Sequence, residues 1–295
     1  MDLYYGDQGQ AILMIIPVAK LFARLHEVAH ERCNINIPGL GLLLRSIGRD
    51  LELSVRGKIL FMNHKVADNY ARLIGGRFNE PETHILLDRA LEILGDKRAV
   101  VFVDVGANIG EFVLDYGARE SIRELYAFEP QREQFIGIRH TVRLNGMSRV
   151  TAVNKAVGAV SGIMAFKQQT KNSSSSGLLN VGTGCDKALE VEVTTLDREL
   201  SKISDPAILL IDVEGAELLV MQGGEQFIRR CKPLVIFEYN HVTRAQVRLD
   251  QIQQFLGSEY VLMRLRRDGQ LDTDMSRTWN IVAIHKNGLF SALLT

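Results

Sequence analysis

Charge of one sign, paired cysteine and long apolar runs are all scarce in this chain, and each shortage removes a class of function. Lysine plus arginine and aspartate plus glutamate each total 35, a formal net charge of +0 over 295 residues. A balanced chain offers no broad attraction to nucleic acid, a polyanion or an anionic membrane, so no nucleic-acid partner is expected. The three cysteines, Cys33, Cys185 and Cys231, are odd in number, widely spaced and outside any C-x-x-C pair. That excludes a disulfide framework and fits ordinary thiols in a reducing cytoplasm. The apolar run from Ala11 to Ala19 contains Pro17 and is too short to span a bilayer. It follows Asp2 and Asp7 rather than a basic segment, so neither a transmembrane segment nor a signal peptide is expected, and the reading is a cytoplasmic protein.

The dinucleotide pattern G-x-G-x-x-G is also missing from the one place built to carry it. Val100 to Val103 is apolar and mostly β-branched and leads into Asp104, the composition of a strand covered on both faces of a parallel sheet. Gly106 and Gly110 then permit a tight turn into a helix, with room for a ligand at the helix start. The spacing is D-x-G-x-N-x-G, with an acid two residues before the first glycine and Asn108 in place of the second. A carboxylate at the strand tip repels pyrophosphate and attracts the cationic methyl donor S-adenosylmethionine, so Asp104 favours that donor. A strand-to-helix turn without a ligand is the alternative.

Roughly twenty residues later, Glu124 to Phe128 reads as a second strand ending in Glu129-Pro130. In doubly wound folds an acid there meets the two hydroxyls of a ribose, the role assigned to Glu129; otherwise it caps the helix that Pro130 begins. A helix over Gln131 to Leu144 and a third strand over Val150 to Val157 complete a βαβαβ half, placing Asn154 where adenine contacts are expected. A second apolar strand, Ala207 to Ile211, delivers Asp212 and Glu214 before a helix containing Glu217. The next, Leu234 to Phe237, delivers Glu238 with His241 close behind. Clustered acids at neighbouring strand tips can take a proton from an acceptor or hold a hard cation. Mutual repulsion can turn one of these acids into a useful base, or a magnesium ion can relieve the repulsion and acidify the acceptor. Strand-end acids capping the following helices are the alternative, and no residue is assigned as a metal ligand.

Val103-Asp104-Val105-Gly106-Ala107-Asn108-Ile109-Gly110, Phe128-Glu129-Pro130 and Ile211-Asp212-Val213-Glu214-Gly215-Ala216-Glu217 together resemble the signature of FkbM-type methyltransferases, over roughly Leu51 to Lys286. The resemblance implies a class I, Rossmann-like α/β fold: a seven-stranded, mostly parallel sheet with an antiparallel last strand and helices on both faces. It also implies S-adenosylmethionine as donor and hydroxyl oxygens of sugars or polyketide-like molecules as acceptors. Asp104, Gly106, Asn108, Gly110, Glu129, Pro130 and Asn154 would hold the donor. Asp212, Glu214, Glu217, Glu238 and His241 would handle the acceptor. The family often carries lysine immediately before the Ile-Asp-Val-Glu-Gly run, where this chain has Leu210. That change either alters the acceptor, moves the base function to Lys155 or His241, or marks a position that faces the core.

The remaining stretches frame this centre. Residues 1–95 read as a helical and hairpin extension, and 96–295 as the methyltransferase domain with an insertion at 161–197. In the extension, Leu21, Phe22, Leu25, Val28 and Ala29 recur at helical spacing, giving an amphipathic helix suited to the core or to a second copy of the chain. Its His26-Glu27-Val28-Ala29-His30 matches the zinc-protease pattern H-E-x-x-H, but the chain commits elsewhere to another fold. Leu51 to Met62 reads as a hairpin turning at Gly57, followed by a helix over Pro81 to Leu94 with Ile85, Leu86, Ala90, Leu91 and Leu94 on its apolar side. The insertion holds Ser173-Ser174-Ser175-Ser176, a hydrogen-bonding loop beside the cleft, and Val181 to Gly184 lacks the flanks of a phosphate loop. A helix over Thr243 to Leu256 and a closing hairpin end the chain, with Trp279 expected in packing rather than against a sugar ring. The function expected is an O-methyltransferase of small molecules or saccharides; the alternative is an inactive methyltransferase-like scaffold.

Overall fold

The computed structural model describes residues 48–70, 73, 78–95, 98–167, 177–178, 188–276 and 279–294. The helix expected over 17–31 with its H-E-x-x-H pattern, the four serines, the glycine run at 181–184, and Cys33 with Cys185 lie outside the described residues.

The hairpin is β1 (Leu51–Val55) and β2 (Lys58–Met62). Arg56 and Gly57 between them take positive φ, 52° and 77°, as a two-residue turn matched to strand twist requires. Helix α1 (Pro81–Leu94) starts on proline, whose φ is preset for a first helical position. Its buried face carries Leu86, Leu87, Ala90, Leu91 and Leu94. Ile85, expected there too, is 46% exposed and lies against the turn at Gly269.

The first half of the main sheet is β3 (Val100–Val105), α2 (Glu111–Tyr116), β4 (Ile122–Phe128), α3 (Arg132–Leu144) and β5 (Val150–Val153). The third strand is shorter than the sequence suggests. Asn154 donates its side-chain amide to the carbonyls of Glu129 (2.8 Å) and Pro130 (3.0 Å). The chain turns out of the sheet at that point, and β6 (Ala156–Val157) joins β7 (Gly162–Lys167), β8 (Gly177–Leu178) and β9 (Ala188–Thr194) in a separate sheet ordered β6-β9-β7-β8.

The chain returns through α4 (Leu196–Glu199) to β10 (Ala207–Ile211), α5 (Glu217–Gln222), α6 (Glu225–Cys231) and β11 (Leu234–Glu238). The single helix expected next is two, α7 (His241–Gln246) and α8 (Leu249–Leu256). Asn240 caps the first by accepting from the amides of Val242 (2.7 Å) and Thr243 (3.1 Å), and Val247 interrupts, extended at φ −142° and buried in the core. β12 (Tyr260–Leu265), β13 (Leu271–Asp272) and β14 (Asn280–His285) complete an eight-stranded sheet ordered β13-β12-β14-β11-β10-β3-β4-β5. The short β13 accounts for the strand beyond the seven expected. β5, β4, β3, β10 and β11 run parallel, and β14 inserts antiparallel between β11 and β12.

Register decides which residues meet at the site. Asp104 is level with Leu210, and Leu210 with Ile236, so alternate residues of β3, β10 and β11 share a face. Phe102, Ile208, Leu210, Ile236 and Val282 pack with Leu86, Leu87 and Phe112 on one side; Val103, Leu209, Val235 and Ile281 pack with Val220, Phe227 and Ile252 on the other. Continuing the alternation past the strand ends puts Asp104, Asp212, Glu238 and Asn280 on the face that α1 covers.

Candidate active site

The strand order reverses between β3 and β10, the crevice where open α/β sheets bind ligands. Gly106 sits there at φ 91°, and a Cβ on it would stand 1.9 Å from the carbonyl oxygen of Asp212. The missing side chain therefore makes room for the neighbouring strand tip, not for a ligand. Gly110, at φ 78°, brings the start of α2 against Ile138 of α3, whose Cγ1 would lie 3.0 Å from a Cβ. Between them Asn108 takes φ 49°. Four of the turn's amides bond within the protein: Gly106 and Ala107 donate to the Phe128 carbonyl (2.9 and 3.0 Å), Asn108 to Glu129 Oε2 (2.8 Å) and Gly110 to the Ala107 carbonyl (2.7 Å).

What the crevice offers instead is carboxylate. Asp104 is 2% exposed, and its Oδ2 is enclosed with no hydrogen-bond partner. Burial, then the charges of Glu80, Glu129 and Glu111, push its carboxyl up to about 8. Glu129 is also enclosed; its two oxygens accept from the amides of Asn108 and Gln131, both at 2.8 Å, and each keeps a lone pair. Burial raises it to about 7 against those two bonds.

Asp212, Glu214 and Glu238 each bring an oxygen within 4.8 Å of the others. Glu214 stands at φ 53° and accepts from Asn240 Nδ2 at 3.3 Å. Burial and the charges of Glu238 and Glu80 raise Asp212 well above the usual carboxylate range, and burial with Glu214 and Glu80 raises Glu238 to about 8. Asp212 Oδ1 and Glu238 Oε2 are enclosed with no hydrogen-bond partner. Glu80, which precedes α1, closes the arrangement, accepting from Thr83 Oγ1 (2.9 Å) and from Asn280 Nδ2 (3.0 Å).

The methyltransferase FkbM domain model matches residues 104–265. The chain belongs to the FkbM methyltransferase family. No curated protein gives a match. Among solved structures, the FkbM methyltransferase of Methylobacillus flagellatus KT is similar at 16% identity and a TM-score of 0.45, over 75% of this chain and 53% of that one. The present chain thus spans about half that protein's length. An rRNA methylase of Streptococcus thermophilus is similar at 10% identity and a TM-score of 0.39, over 71% of this chain and 99% of its own. The large mostly parallel sheet with its inserted antiparallel strand is the α/β architecture expected of this methyltransferase family, and no helix among the described residues is long and apolar enough to cross a membrane.

In this FkbM-family chain Asp104, the turn from Gly106 to Gly110 and Glu129 lie together, and the residues expected around the acceptor divide. Asp212, Glu214 and Glu238 meet, with His241 exposed beside Glu214, whose carboxyl burial raises and the imidazole pulls back. Glu217 is fully enclosed at the start of α5, whose N-terminus has no side-chain cap, and accepts from the Gly215 amide just before that helix at 3.1 Å. Asn154 spends its amide on the loop after β4, with Pro130 as one of its acceptors. Leu210 packs in the core, and Lys155 pairs with Glu192 (2.8 Å) and Glu199 (3.5 Å). Trp279, expected to be packed, is 56% exposed, and its carbonyl accepts from the Tyr239 amide.

Sequence reading missed Glu80, Asn280, Asn240 and the buried His84 with its two carboxylates, Glu111 and Asp115. His84 is stacked between Phe78 and Phe112, with Nε2 3.1 Å from Glu111 Oε1 and Nδ1 3.1 Å from Asp115 Oδ2. Burial works against its charge, yet the two carboxylates raise its pKa. Glu111 in turn accepts from the Asn79 amide (2.9 Å), which fixes the turn that carries Glu80. The one sequence signal was the acid directly before Pro81 at a helix start.

Proposed function

We propose that this chain is an S-adenosylmethionine-dependent O-methyltransferase acting on a hydroxyl of a small molecule or saccharide. The observation that carries the reading is the enclosed, unpartnered Asp104 oxygen beside a glycine turn in which the amides of Gly106, Ala107, Asn108 and Gly110 bond within the protein. A crevice lined with carboxylates suits a cation and repels pyrophosphate. Asp104, the turn from Gly106 to Gly110, and Glu129-Pro130 would hold the donor, with the free lone pairs of Glu129 available to ribose hydroxyls. Bound S-adenosylmethionine supplies an electrophilic methyl group and departs as a neutral thioether. Asp212 and Glu238 would accept the proton that the acceptor hydroxyl loses, because carboxyls raised towards neutrality are matched to a base working near pH 7. Glu214, held by Asn240, and the exposed His241 would orient the acceptor.

The test is isothermal titration of the folded chain with S-adenosylhomocysteine, with NADH as control, before and after Asp104→Ala. Micromolar binding of the homocysteine compound that is lost in the variant, with no response to NADH, is the expected result. Absence of binding to well-folded protein sinks the reading and favours a scaffold role. Acceptors are then screened among hydroxylated sugars and polyketides, with and without magnesium.

A further inference from the structure

Resting on the S-adenosylmethionine reading above, we propose that Glu80 is a working residue of the site: with Asp104, Asp212 and Glu238 it forms a pocket that holds a proton while empty and releases it when a cationic donor binds. Glu80 lies outside the segment that matches the family model, and α1 delivers it over the strand tips. Its hydrogen bonds to Thr83 and to Asn280 tie it at once to its own helix and to β14, fixing the carboxylate over the tips of β3, β10 and β11. Asp104, on the same face, contributes an oxygen that is enclosed and unpartnered.

The charges around the pocket are lopsided. Glu80 faces Glu111 and Glu82 and acts on Asp104, Asp212 and Glu238. Asp104 also faces Glu129 and Glu111, with His84 the opposing cation. Asp212 faces Glu214 and Glu217 in addition to Glu238, and Asn240 offers Glu238 a neutral hydrogen bond. His241 faces Glu214. Enclosed carboxylates with so little compensation cannot all ionise together. Asp104 and Glu238 are pushed up to about 8 and Glu80 to about 6, so the empty pocket carries a proton at neutral pH. A positive charge entering the pocket favours the ionised form, the proton leaves, and donor affinity rises with pH until the pocket is already ionised, above about 8. The thioether product lacks the sulfonium charge. Its formation lets the pocket take up a proton again, and the acceptor hydroxyl loses one in the same step.

The experiment is calorimetric titration of the full chain near neutral pH, in EDTA, with S-adenosylmethionine and with S-adenosylhomocysteine. Each titration is run in phosphate and in Tris, whose ionisation enthalpies differ. The charged donor is expected to release about one proton more than the uncharged compound. Glu80→Gln is expected to cut that difference by half or more while S-adenosylhomocysteine still binds, which certifies the variant's fold. Equal proton release by the two ligands in the unaltered chain overturns the proposal without any variant. An unchanged difference in Glu80→Gln overturns the part given to Glu80. Magnesium alone, titrated without EDTA, assigns the pocket to a metal and also overturns the proposal if it expels the same proton from the protein. If neither ligand binds the folded chain, the donor reading fails first and takes this one with it.

Discussion

Replacing His84 by phenylalanine keeps the ring stack between Phe78 and Phe112 and removes only the charge and the two hydrogen bonds. The imidazole is 3% exposed, so solvent does little to screen what is lost. Two enclosed or nearly enclosed carboxylates, Glu111 and Asp115, are left without their partner, a class of change that costs about 3–5 kcal/mol. Asp115 keeps Arg119 at 3.1 Å and Glu111 keeps the Asn79 amide, which places the expectation at the lower end, about 3 kcal/mol. The sign with pH follows from the directions of the shifts. The folded-state pKa of His84 is raised, so its contribution is fully present below the unfolded value of about 6.5 and is lost as pH rises through the folded value. Above that value a neutral imidazole still donates one hydrogen bond, worth about 1 kcal/mol. Asp115 is lowered by His84 and Arg119 against its burial, so its share is lost only as pH falls through the depressed value. Urea unfolding of the unaltered chain and of His84→Phe should therefore differ most at about pH 6 and converge as pH rises. A difference that stays constant, or that widens above neutrality, refutes a charged imidazole at this position.

Two further substitutions probe the crevice itself. Gly106→Ala must place a methyl at φ 91° and 1.9 Å from the Asp212 carbonyl oxygen, so a loss of about 3 kcal/mol or more is expected in urea unfolding; a cost under about 1 kcal/mol would mean that the strand tips separate freely. Leu210→Lys puts an ammonium level with Asp104 on the neighbouring strand, so the Asp104 carboxyl should drop towards its ordinary range in a carbon-detected titration. The same variant should weaken S-adenosylmethionine more than S-adenosylhomocysteine, and an unmoved Asp104 titration would show that the register does not bring the two side chains together.

The parts of the site legible in the sequence were those whose chemistry sits within a few residues of a strand end. Asp104 and Glu129 are each announced by an apolar run and a breaker, because a covered parallel strand has to be apolar and its tip has to stop. The Asp212-Glu214-Glu238 group was readable for the same reason, since two such strands stand side by side. Glu80 and Asn280 meet across 200 positions of chain, a separation no local pattern encodes. The break at Asn154 was hidden because a side-chain amide bonding two carbonyls leaves the apolar rhythm on either side intact. The kink at Val247 was hidden because a buried valine suits an extended residue as well as a helical one. Ile85 and Trp279 show the limit of periodicity, which says where a helix or strand has an apolar side and nothing about what covers it.

The contact between Gly106 and the backbone of Asp212 joins two halves of the site that the sequence treats as separate motifs. Under the proposed reading one half would grip the donor and the other would receive the acceptor, and the two strand tips touch where Gly106 lacks a side chain. The interlock makes the crevice behave as one machined joint: the spacing of the two tips is set by the width of a missing side chain. A change of acceptor would then fall to the surrounding side chains, with the Asp212 main chain staying where Gly106 admits it.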